Sequence, residues 1–130
     1  MKLINVAAGL ALGIPFAFLG YEAVAEPGVR VGMATKFGIP EEYAETAVRI
    51  NGAVMALGGV SVATGILPRL GALGVAASMV PTTLAGHAFW NDTDPTTKAL
   101  NRIQFMKNLG LIGGMLAIAG RRGKCGCRRD

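Results

Sequence analysis

Charge is scarce in this chain. Only 16% of its 130 residues are Asp, Glu, Lys or Arg, where a water-soluble domain carries about a quarter. Three stretches, Leu3 to Tyr21, Ile50 to Leu67 and Leu70 to Phe89, contain no charged residue at all. Histidine and tryptophan occur once each and cysteine twice. One histidine rules out a multi-histidine metal centre, and the absence of an acid–base pair within the apolar runs speaks against a self-contained hydrolase. No P-loop, dinucleotide fingerprint, nucleophile–base set or haem-attachment motif occurs. No residue set would hold a haem, flavin or iron–sulfur cluster, so no bound cofactor is expected. The positive charge is concentrated in a short tail, which gives no support for nucleic-acid binding.

Apolar length is what remains. Mean hydropathy is +0.45, and each charge-free run approaches the roughly 20 residues that cross about 30 Å of hydrocarbon. A shorter run, Asn108 to Gly120, reaches spanning length if it starts near Ile103, which takes Lys107 into the membrane. The expected fold is all-α, an integral membrane four-helix bundle with spans at about 3–21, 47–67, 70–90 and 103–120, followed by a basic tail at 121–130. Nineteen glycines suit close helix approach in lipid, and the pairs Gly9/Gly13 and Gly110/Gly114 have the i,i+4 spacing of such contacts. Pro15 and Pro81 fall inside spans, where hydroxyls such as Thr82 and Thr83 can re-satisfy freed carbonyls.

The tail carries Arg121, Arg122, Lys124, Arg128 and Arg129 directly after the last span, which keeps it cytoplasmic. An even number of spans then puts the N-terminus inside as well, with Arg69 in the inner turn "LPRL". The outer segments are Glu22 to Ala47, which holds all five glutamates, and Asn91 to Arg102. A second reading of the N-terminus is a signal peptide cut after Ala23-Val24-Ala25. The apolar run is long for that, and Glu22 sits awkwardly beside the cut. The mass of the mature protein separates the two.

"GIPEEYAETAVR" reads as a helix start, with Pro40 in the first turn and Glu41 and Glu42 at the positive end of the dipole. Glu45 and Arg49, four apart, are spaced to pair. Asp94 before Pro95 reads as an N-cap. A helix running unbroken from there carries Lys107 about 18 Å beyond Pro95. Asn101, Gln104, Lys107 and Asn108 share one arc of that helix, a stripe that should face the bundle interior or a water-filled cavity. The plainer reading is that Lys107 snorkels to the outer interface.

His87 lies within a turn of Trp90, whose expected role is interfacial anchoring. In the plain reading His87 bonds to water or a carbonyl. In the functional one it exchanges protons or contacts a small polar or quinone-like ligand. Asp92 and Asp94 add only a weak oxygen set, so no metal is expected there. Cys125 and Cys127, flanked by Lys124 and Arg128, are a candidate redox or soft-metal pair. Their other reading is a plain basic tail suited to anionic lipid.

The order of "KFGIP", "INGAVMALGG", "RLGALGVAASMVPTTLAGHAFW", "NDTDP" and "NRIQFMKNLGLIGGMLAIAG" resembles the DoxX family of small four-helix bacterial membrane proteins over roughly Gly20 to Gly120. The family is named for a subunit of a thiosulfate:quinone oxidoreductase, and some members are linked to membrane complexes against oxidative and thiol stress. The resemblance therefore implies a multi-pass protein of the bacterial plasma membrane, at most a subunit of an oxidoreductase complex. Its family-like residues are Arg69, His87, Trp90, Lys107 and Asn108, with Glu22 and Asn51 as weaker matches. Gln104 joins them through the polar stripe. The "KCGCRRD" tail lies outside the resemblance. Implied partners are the lipid bilayer, proteins of a redox complex, a diffusing quinone and further copies of the chain. The alternative is a non-catalytic scaffold or assembly factor that recruits partners or lipid. A small-solute transporter is a third reading, which would need oligomerisation to form a path.

Overall fold

The computed structural model describes residues 2–121; Cys125, Cys127 and most of the basic tail lie outside them. The described chain is helical almost throughout: α1 (Lys2–Ala25), α2 (Val29–Phe37), α3 (Glu41–Thr64), α4 (Pro68–Gly86), a short 3-10 turn (Phe89–Asn91) and α5 (Pro95–Ala119). Three stretches are long and apolar enough to cross a membrane, Lys2–Ala25, Glu41–Thr64 and Pro68–Asn91. α5 has the length, at 25 residues. Arg102, Gln104, Lys107 and Asn108 lower its hydropathy below that of the other three.

Glycine decides how the helices meet. α1 packs along α3, α3 along α4, and α4 along α5. A Cβ on Gly52 would fall 2.7 Å from the Ala23 Cβ and 2.8 Å from the Gly20 carbonyl, and one on Gly59 would fall 2.7 Å from the Gly13 carbonyl. Gly58 and Gly71 oppose each other across α3 and α4 in the same way, at 2.6 and 2.8 Å from the other's carbonyl. Where lipid removes the hydrophobic drive for association, this backbone-to-backbone contact is what holds helices together. The expected Gly9/Gly13 contact is thus formed against α3. Gly110 and Gly114 differ: with Gly113 they meet nothing within 4 Å and mark no contact inside the chain. The buried centre is apolar, with Met115 and Val75 fully enclosed beside Phe16, Met55 and Met79.

Turns follow local chemistry. Gly65 adopts a left-handed conformation at φ 74° to close α3, and Leu67 does so at φ 51° just ahead of Pro68, so α4 doubles back at once. The outer segment before Pro40 contains a helix of its own, α2. Its signal was present: Lys36 in a last turn followed by Gly38, which takes φ 115° and returns its N–H to Ala34 and Thr35, the glycine stop of a helix. The third spanning stretch runs Pro68–Asn91. Its α-helix ends at Gly86, with His87 as C-cap at φ −132°, so His87 and Trp90 stand on the connection that follows the helix.

One side of the bundle is open. α1 and α5 do not pack closely, and between their ends nearest Lys2 and Arg121 runs a groove of about 510 Å³. Arg69 closes the adjacent corner, its Nε donating to the Ala119 carbonyl at 3.1 Å.

Candidate functional site

At the end of the bundle away from that groove, α5 begins with the cap expected of Asp94. Its Oδ2 accepts from the Thr97 backbone N–H at 2.8 Å and from the Thr97 hydroxyl at 2.9 Å. These two bonds hold the Asp94 carboxyl below the usual carboxylate range. Starting there, α5 turns Asn101, Phe105 and Asn108 toward α4 and the chain that follows it, because residues seven apart on a helix return to within about 20°.

Asn101 is the hinge of the arrangement. Its Nδ2 donates to Asp92 Oδ2 at 2.8 Å, and its Oδ1 lies 3.3 Å from His87 Nδ1. An ionised carboxylate only accepts, so the amide must present its N–H₂ to Asp92 and its carbonyl oxygen to the ring. That oxygen also only accepts, which puts the ring proton on Nδ1 and leaves Nε2 of neutral His87 as the basic nitrogen. One turn of α4 further into the bundle, the Asn108 Nδ2 donates to the buried Thr83 hydroxyl at 3.1 Å. On the other flank the Asn51 Nδ2 donates to the Thr82 hydroxyl at 3.0 Å, which donates in turn to the Ser78 carbonyl at 2.8 Å. Three asparagines therefore bind α4 and its C-terminal connection to both neighbouring helices at this end.

Aromatic rings wall the same region. Phe89, Trp90 and Phe105 meet edge to face with centroids 5.2 to 5.8 Å apart, the arrangement their ring quadrupoles favour. Trp90 is half exposed. Met33 of α2 approaches Gly86, so α2 lies over this end of α4.

The remaining sequence-derived candidates are placed as follows. Gln104 and Lys107 are exposed, and neither takes part in a hydrogen bond or ion pair among the described residues. Lys107 stands about 100° round the helix from Asn108, so the polar stripe turns only its Asn101–Asn108 edge to the bundle, and the partner of His87 is Asn101. Glu22 pairs with Arg30 at 3.4 Å and ties the end of α1 to α2. Arg69 is at the other end, about 27 Å from His87 along α4. Arg49 forms the expected pair with Glu45, at 2.8 Å, and also donates to the Val24 carbonyl. Asp92 and Asn101, named in the sequence only within a weak oxygen set and the polar stripe, complete the site with Thr83 and Phe89. Asn101 was traceable, being seven residues before Asn108 on the same face. Asp92 was not, because its position depends on the 3-10 turn. Among the described residues no three of His, Cys, Asp and Glu converge.

Long apolar helices joined through glycine, with amides and one histidine gathered at one end, define a helical membrane protein. The chain belongs to the DoxX family, whose family model matches residues 6–88. That match takes in Glu22, Asn51, Arg69 and His87 and stops before Trp90 and α5, so it does not cover Trp90, Gln104, Lys107 or Asn108. No curated protein and no solved structure matches the chain.

Proposed function

We propose that this protein is a DoxX-type accessory subunit of the bacterial plasma membrane, acting in membrane redox or thiol-stress chemistry on a small quinone-like ligand. α5 serves as the fourth span and both termini lie in the cytoplasm, with the His87 end facing outward. The observation that carries this reading is the Asp92–Asn101–His87 chain of hydrogen bonds beside the Phe89–Trp90–Phe105 rings. A flat, amphipathic ring system needs an aromatic wall and a group that exchanges protons. His87 Nε2 accepts a proton from a quinol hydroxyl, or returns one to a quinone oxygen once the imidazole is charged. Asp92, acting through Asn101, holds the ring in the orientation that presents Nε2. Lys107, exposed on the adjacent face of α5, supplies a second cation to an anionic ligand or reduced oxygen. The chain brings no electron carrier of its own in this scheme, so electrons pass between the diffusing quinone and a partner protein.

The test is replacement of His87 and of Lys107 by alanine at the native expression level. Loss of one charge-assisted hydrogen bond lowers quinone affinity by about tenfold or more, and both variants sensitise cells to oxidant or thiol stress. Wild-type protection and wild-type quinone binding in both variants overturn the site.

A second reading is favoured by one observation, the open face of Gly110, Gly113 and Gly114 on α5. Small residues without a partner suit a helix of another protein or another copy of this chain. On that reading the protein is a scaffold, its basic tail assists recruitment, and removal of residues 122–130 abolishes co-purification of partners. The ligand-site reading expects little change from that deletion.

A further inference from the structure

The groove between α1 and α5 has a composition that the His87 site does not explain. Its walls are apolar, with Leu12, Val62 and Ile118 among them, and no acidic residue lines it. Its rim carries Asn5, Thr64, Arg69 and Arg121. Leu12 lies seven residues along α1 from Asn5, about 10 Å deeper, so the polar rim and the apolar floor are separated along the helix axis. The volume, about 510 Å³, falls among ligand pockets of roughly 300–1,000 Å³.

We propose that this groove is a binding site for an anionic phospholipid, with an acyl chain between α1 and α5 and the headgroup phosphate against Arg69 and Arg121. Arg69 is set for the role. Its Nε is spent on the Ala119 carbonyl, which holds the guanidinium at the rim and turns the remaining donors to a ligand. A guanidinium presents those donors as a fork that matches phosphate oxygens. The same end of the bundle carries the positive charge that faces an anionic cytoplasmic leaflet. A zwitterionic lipid would bring its own cation to two arginines. The chain's own tail is no better suited, since residues 122–130 contain four cations against one acid, the same sign of charge as the rim. The site does not involve His87, but it rests on the cytoplasmic placement of the termini proposed above.

Two variants test it without disturbing helix packing. Arg121 makes no side-chain hydrogen bond among the described residues, and Gly114 has nothing within 4 Å of its Cβ position. The full chain is reconstituted in nanodiscs of equal parts phosphatidylglycerol and phosphatidylcholine, and retained lipid is read by native mass spectrometry. The wild type retains phosphatidylglycerol in preference. Arg121→Gln weakens that preference about fivefold, as expected for one arginine at a lipid surface. Gly114→Leu, which fills the groove, loses retained lipid of both kinds while circular dichroism shows unchanged helix content. Millimolar inorganic phosphate leaves the lipid in place. Equal retention of phosphatidylcholine by the wild type overturns the proposal, as does displacement by phosphate alone. It also fails if Gly114→Leu keeps its lipid and instead breaks an oligomer apart, because a second copy then fills the groove. Should Gly114→Leu misfold, the Arg121→Gln preference decides alone.

Discussion

His87 is the only histidine in the chain, so its ring can be observed by NMR in ¹⁵N-histidine-labelled protein without assignment. In the neutral ring, Nδ1 should carry the proton and Nε2 should show the shift of an unprotonated nitrogen. Asn101→Leu should release this preference toward the mixture seen in free histidine, and a wild-type ring protonated at Nε2 would sink the Asp92–Asn101–His87 arrangement. Asp94 makes a separate prediction. Its folded carboxyl titrates below the unfolded value of about 3.9, because Thr97 donates to the charged form. The cap therefore contributes fully above that value and is lost as pH falls through the lower, folded one. The Thr97 amide should be protected from hydrogen exchange at neutral pH and fray in acid. Asp94→Ala should lose protection at neutral pH, whereas Asp94→Asn should keep most of it. Residue identity made His87, Trp90 and the Asp94 cap legible in the sequence. The choice of Asn101 over Lys107 as partner was not legible, since both lie on one arc and only the direction of α4 selects between its edges.

Among the elements, α1, α3 and α4 were readable because charge-free length is a property of composition. α2 was legible only at its end, in Lys36 and Gly38, because nine residues with Gly32 in their midst show no apolar period. Glycine spacing predicted contacts on α1 and α5 alike, and the structure separates them. Gly13→Leu should therefore lower the thermal midpoint in detergent sharply, because the backbone of α3 leaves a Cβ no room. Gly113→Ala should leave it unchanged or raise stability by up to about 1 kcal/mol through helix propensity. Equal effects at the two positions would contradict the packing described for α1 and α5.

For the whole molecule, the two cysteines give a direct test of orientation, since both lie in the tail after α5. With both termini cytoplasmic, a membrane-impermeant maleimide should leave intact cells unlabelled and label them once permeabilised. Labelling of intact cells would reverse the topology and move the groove to the outer leaflet. The open side between α1 and α5 also bears on how the protein is made. The extensive contacts join α1 to α3, α3 to α4 and α4 to α5, each to the next long helix in order of synthesis. A ribosome delivering the chain thus releases every helix beside a neighbour already in the bilayer, and no packing step waits for the two ends to meet. Assembly can proceed in the direction of translation, with the docking of α5, which buries Met115, as the last event.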